Sequence, residues 1–138
     1  MQVVLANTPA ERKRLLAALN SFAQAHQLPS AALQAADLAL EEHLTNLNSY
    51  GYQDARPHRV SVQLTLEDGF LVVEIEDDGR PFNPLEAPAV DTSLPLDQKP
   101  IGGLGVHLIR HFMDELEYRR DANKNILRMR KRLRPSPA

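Results

Sequence analysis

A chain of 138 residues, 43% hydrophobic and 25% charged, is long enough for one ordinary core and too short to promise a second domain. It contains no cysteine, which excludes a disulfide framework, a thiolate metal cluster and the disulfide-dense secreted class. The formal net charge of −2 gives no global attraction to nucleic acid or an anionic membrane, and no apolar run approaches the roughly 20 residues of a bilayer span, so a cytoplasmic domain without signal peptide is expected.

The first residues, 2–6, are β-prone. Asn7 or Thr8, followed by Pro9 and Glu11, has the chemistry of a capped helix start. Leu15, Leu16, Leu19, Phe22 and Ala23 then recur at helical spacing, which predicts a half-buried helix to about Gln27. Pro29 breaks this pattern, and Ser30 is placed to cap a second helix over about 31–50, where Gly51 supplies a stop. Its stripe of Leu33, Ala36, Leu40, Leu44 and Leu47 is ordinary. The polar residues Glu41, Glu42, His43, Thr45, Asn46 and Asn48 crowding its second half are not.

From Arg59 the period changes to two. Val60, Val62, Leu64 and Leu66 alternate with polar residues, Glu67-Asp68-Gly69 signals a tight hairpin, and Leu71, Val73 and Ile75 form the apolar row of the return strand. Continuing that row places Asp77 on the apolar side, where a carboxylate is costly unless a ligand or a buried donor meets it. Residues 82–100 contain four prolines and no sustained period, as expected of a lid or a disordered loop. Gly102-Gly103-Leu104-Gly105 then opens a short helix over about 106–113. Residues 115–120 and 125–133 read as a closing hairpin. The expected architecture is an α+β two-layer sandwich, in which about three helices cover one face of a mostly antiparallel mixed sheet. A single domain is expected over 1–133, with a disordered tail at 134–138.

Three groups of residues carry possible chemistry, each with a plainer reading beside it. A glycine loop ahead of a helix presents unpaired N–H groups at the positive end of the helix dipole, which suits phosphate; it also serves as a tight turn. Glu42 and Asn46 are four apart and rise from one helical face. They offer a carboxylate base and a neutral oxygen ligand for magnesium, or simply a solvated surface. Asp77 with Gly79 can read an adenine amine while glycine admits the ring, or can form a turn. His43 and His107 lack metal-spaced partners and read as surface or packing histidines. Arg128, Arg130, Lys131, Arg132 and Arg134 have no interleaved aromatics, so a solvated sheet edge or a docking face for an acidic partner is expected rather than nucleic-acid binding.

Taken in order, these pieces resemble the GHKL ATPase superfamily, and more closely its anti-sigma-factor serine kinase branch, from about residue 9 to 133. Glu42-His43-Leu44-Thr45-Asn46 resembles the E-x-x-x-N box. Asp77-Asp78-Gly79-Arg80-Pro81-Phe82 resembles the first glycine box, and Gly103-Leu104-Gly105 the second. The resemblance implies a Bergerat-type ATP pocket, with Asn46 on magnesium, Asp77 on the adenine amine and the backbone of 103–105 on the phosphates. It implies Glu42 as the general base that takes a proton from a serine or threonine of a small anti-sigma-factor antagonist. A sigma factor and a second copy of the chain are further partners that it implies.

The chain departs from the pattern at three places. Pro81 replaces the usual second glycine, Tyr50 stands where a histidine is common, and the usual threonine of the last strand has no counterpart where Asn125 and Ile126 fall. A nucleotide-holding interaction module without kinase activity is the alternative. A catalytic domain of a sensor histidine kinase is disfavoured, because no dimerisation helix pair with a phosphoacceptor histidine fits before Ala31.

Overall fold

A computed structural model describes residues 1–48, 58–81, 83–84 and 109–133 of the chain. The elements run β1 (Gln2–Ala6), α1 (Pro9–Ala25), α2 (Ser30–Asn46), β2 (Arg59–Glu67), β3 (Phe70–Asp77), β4 (Glu115–Asp121) and β5 (Lys124–Arg132). Residues 109–112 form a helical turn, and the rest of the helix expected over 106–113 lies outside the described residues, as do the glycines at 102–105.

The alternation of apolar residues in β2 and β3 dictates the centre of the fold. Val60, Val62, Leu64, Leu71, Val73 and Ile75 are fully buried on one face of the sheet, together with Leu127 and Met129 of β5. Leu15, Leu19 and Phe22 of α1 and Ala36, Leu40 and Leu44 of α2 join the same cluster, so the helices cover that face. The strand order is β1-β2-β3-β5-β4, and every described pairing is antiparallel, more uniform than the mixed sheet expected.

Local chemistry fixes the element ends. Thr8 caps α1, its Oγ1 accepting from Glu11 N at 3.3 Å. The second cap differs from the expectation. Pro29, extended at φ −58°, holds the N-cap position and its carbonyl accepts from Ala32 and Leu33, so Ser30 is already helical and caps nothing. Helix α2 ends at Asn46 and continues through 47–48 as a wider π-type turn, a feature frequent at functional sites. Both hairpins turn through two residues at positive φ: Asp68 and Gly69 at 53° and 83°, Ala122 and Asn123 at 49° and 65°. These are the primed turns that match strand twist.

The outer face of the sheet is a lattice of ion pairs. Arg128 bridges Glu67 and Glu74, Arg130 meets Glu115, and the Arg132 guanidinium lies over the Phe70 ring, while Lys131, of the opposite parity, meets Asp114. Within the basic run, Arg128, Arg130 and Lys131 are thus ion-paired inside the fold, and Arg134 lies outside the described residues. No described helix is long and apolar enough to cross a membrane.

Candidate functional site

The inward row of β3 ends, as the alternation requires, on Asp77. Its side chain is 2% exposed, and the register sets it opposite Val60 of β2 and Asn125 of β5. Its Oδ2 accepts from Gly79 N at 2.9 Å and from Asn125 Nδ2 at 3.1 Å. No described residue donates to Oδ1. Burial pushes the carboxyl above its ordinary range, opposed by the donations from Asn125 and Gly79.

Asn125 is equally buried, at 3% exposed, and occupies the same place at the end of the inward row of β5 as Asp77 does on β3. Its Nδ2 also donates to the Arg80 carbonyl at 2.8 Å, while its Oδ1 accepts from Tyr118 OH at 2.5 Å and Arg120 Nη1 at 3.0 Å. A guanidinium only donates, and a carbonyl and an ionised carboxylate only accept, so these partners fix which way the amide points. The same Arg120 Nη1 donates to the Gly79 carbonyl at 2.9 Å. The buried turn after Asp77 is thus tied to the β4–β5 hairpin at both Gly79 and Arg80.

On α2, Glu42 is half-buried and Asn46 follows on the next turn at 5% exposed. The Asn46 Nδ2 is buried and has no partner among the described residues. Asn7 fastens this end of the helix to the sheet: its Nδ2 donates to the Leu44 carbonyl at 2.9 Å, its N–H to the His58 carbonyl at 3.0 Å, and its own carbonyl accepts from Asn48 Nδ2 at 3.1 Å. His58 Nδ1 stands 3.4 Å from Asp78 Oδ1. The C-terminal end of α2 and the Asp77 turn therefore lie at the same end of the sheet, joined through Asn7, His58 and Asp78.

Four of the seven residues expected at the site are thus placed: Glu42 and Asn46 together on α2, Asp77 and Gly79 together on the β3 turn. Gly103, Leu104 and Gly105 lie outside the described residues. His43 is a packing histidine, 2% exposed, with burial lowering it to about 4. Asn125, which stands where the resembling family's last-strand threonine falls, is the added site residue, and its polar side chain ends the row of Leu127 and Met129, whereas nothing in the sequence pairs Tyr118 and Arg120 with it. A separate cavity of about 250 Å³ lies between α1 and α2 and is lined by none of these residues.

The profile of the histidine kinase-like ATPase domain family matches residues 5–131. The chain belongs to that family. Among relatives, the serine/threonine-protein kinase BtrW of Bordetella bronchiseptica is 30% identical over 83 residues, which is 60% of this chain and 58% of that protein. In fold, the chain is similar to the RsbU and RsbW domains of Rv1364c from Mycobacterium tuberculosis, at TM-score 0.63 and 13% identity over 96% of this chain and 31% of that one. It is also similar to the histidine kinase domain of a blue-light activated kinase from Erythrobacter litoralis, at TM-score 0.54 and 20% identity, covering 90% of this chain and 60% of the other. Membership implies ATP as the nucleotide.

Proposed function

We propose that this chain is an ATP- and magnesium-dependent serine/threonine protein kinase of the anti-sigma-factor type, phosphorylating a small anti-sigma-factor antagonist in a partner switch. The observation that carries this reading is the half-committed carboxylate of Asp77. One oxygen is held by two protein donors and the other accepts from no described residue, at the end of the sheet where Asn46 also has a polar atom without a partner among the described residues. A buried polar group without a partner is costly in a fold that has no use for it.

In this reading the free Asp77 oxygen accepts from the adenine amine, and Gly79 lets the ring lie against the backbone. Asn46 fits a magnesium ligand, since its carboxamide, turned over, offers a hard oxygen from the position now lacking a partner. The ion would supply charge neutralisation on the phosphates. Glu42, on the same helical face as Asn46, accepts the proton of the attacking hydroxyl, and the backbone of Gly103, Leu104 and Gly105 receives the phosphates. Phosphoryl transfer asks mostly for positioning and charge, so a domain this small suffices. A phosphate placed on an antagonist weakens an interface by adding charge. The kinase named BtrW favours serine or threonine as acceptor. A sigma factor as sequestered partner, a second copy of the chain and a cytoplasmic setting are carried over from the family resemblance.

The test is transfer of labelled γ-phosphate to candidate antagonist proteins by the natural chain and by Glu42→Ala. Transfer that disappears in the variant while ADP affinity holds supports the base assignment. Transfer that survives the change sinks it, and bound nucleotide without any transfer favours an interaction module.

A further inference from the structure

We propose that Asn125, braced by Tyr118 and Arg120, is the positioning residue that makes the pocket choose a 6-amino purine over a 6-oxo purine. This rests on the reading above that Asp77 faces a purine base.

The argument runs through the proton on Asp77. Both donors among the described residues, Gly79 N and Asn125 Nδ2, point at Oδ2, so a proton taken up by this carboxyl sits on Oδ1, the oxygen to which no described residue donates. Ionised, Asp77 presents an acceptor and fits an exocyclic amine. Protonated, it presents a donor and fits a carbonyl at the same ring position. Burial and the neighbouring Asp78 favour the proton, while Asn125, Gly79 and the Arg120 guanidinium disfavour it. Among these, Asn125 is the side chain that touches the carboxylate directly, at 3.1 Å.

Asn125 keeps its donor toward Asp77 only while its amide stays one way round. Turned over, its oxygen would meet the carboxylate and the Arg80 carbonyl, and the Arg120 Nη1, which now donates to Oδ1 at 3.0 Å, would meet an NH₂ group. Arg120 and the Arg80 carbonyl therefore fix the amide, the Tyr118 hydroxyl at 2.5 Å adds a bond to its oxygen, and the amide in turn biases the protonation state that decides which base edge fits.

The test uses ADP and its 6-oxo counterpart IDP, each with magnesium, titrated calorimetrically between about pH 6 and pH 9. Asn125→Val and Asn125→Thr are near-isosteric strand residues that differ by one hydroxyl donor. The natural chain is expected to prefer ADP. Asn125→Val should lower that preference roughly tenfold or more, with the pH at which the preference fades moved upward; losing one bond to a charged group has this size. Asn125→Thr should recover part of both, and Tyr118→Phe, a change that spares the core, should move both in the same direction by less. The proposal is overturned if the folded Val variant keeps the natural ADP-to-IDP ratio and pH profile, or if Val and Thr behave alike. A natural chain that binds neither nucleotide removes the purine pocket itself, an outcome distinct from unchanged selectivity in the variants.

Discussion

Asn125 and Asp77 sit opposite each other in the β3–β5 register, and the 3.1 Å hydrogen bond between them turns two buried polar residues into one satisfied pair. Each ends an otherwise apolar row, and neither alone belongs in a hydrophobic layer. Together with the Gly79 N–H they leave one carboxylate oxygen without a donor among the described residues, and that asymmetry separates stability from function.

Asp77→Asn should show the separation. The replacement carbonyl oxygen can still accept from Gly79 and Asn125, and the cost of burying a charge disappears. Because the folded carboxyl is pushed up, its contribution to stability is present below its unfolded value and is lost as pH rises through its folded one. At neutral pH the variant should therefore be as stable as the natural chain or slightly more so in urea unfolding. Its amide NH₂ would face the ligand in place of an acceptor, and nucleotide affinity should fall by about two orders of magnitude. A variant that is stable and still binds nucleotide normally would contradict the assignment.

His43 predicts an acid limb in the stability profile. It is buried and neutral, lowered to about 4 from 6.5, with no partner for Nδ1 among the described residues. The unfolded chain takes up this proton first, so stability is complete above about pH 6.5, falls as the pH drops, and has lost roughly 3 kcal/mol of His43 contribution near pH 4. His43→Leu removes no hydrogen bond from Nδ1 and should flatten this part of the curve. An unchanged slope between pH 6.5 and 4 would mean that other groups generate it.

Ala122 adopts φ 49° in the β4–β5 turn, a left-handed conformation that costs a residue with a Cβ about 1–2 kcal/mol. Ala122→Gly relieves this at some expense in unfolded-chain entropy, for a net gain of roughly 0.5–1 kcal/mol. Differential scanning calorimetry should show a Tm higher by a few degrees. Because this hairpin carries Tyr118, Arg120 and Asn125, nucleotide affinity should stay unchanged, and a loss of affinity would show that the turn strains the site into shape.

Much of this was legible because strand periodicity is a strict signal. The alternation through Val73 and Ile75 places Asp77 inward, and the same rule carried back from Leu127 and Met129 places Asn125 inward beside it. Helix ends were less legible: Ser30 has cap chemistry, yet the extended backbone of Pro29 takes the position one residue earlier. The bracing pair was not legible at all, since Tyr118 and Arg120 meet Asn125 only once β4 folds back on β5. The partners of the basic run were not legible either: Glu67, Glu74, Asp114 and Glu115, which pair with Arg128, Arg130 and Lys131, are distant in sequence and come near only in the fold.

The most direct measurement is a pair of thermal melts, natural chain and Asp77→Asn, with and without magnesium and ADP at millimolar concentration. A ligand that binds only the folded state raises apparent stability by mass action, about 2.7 kcal/mol at a hundred times Kd. The account predicts a clear upward shift for the natural chain and none for the variant. No shift in either, or an equal shift in both, would contradict a nucleotide pocket built on Asp77.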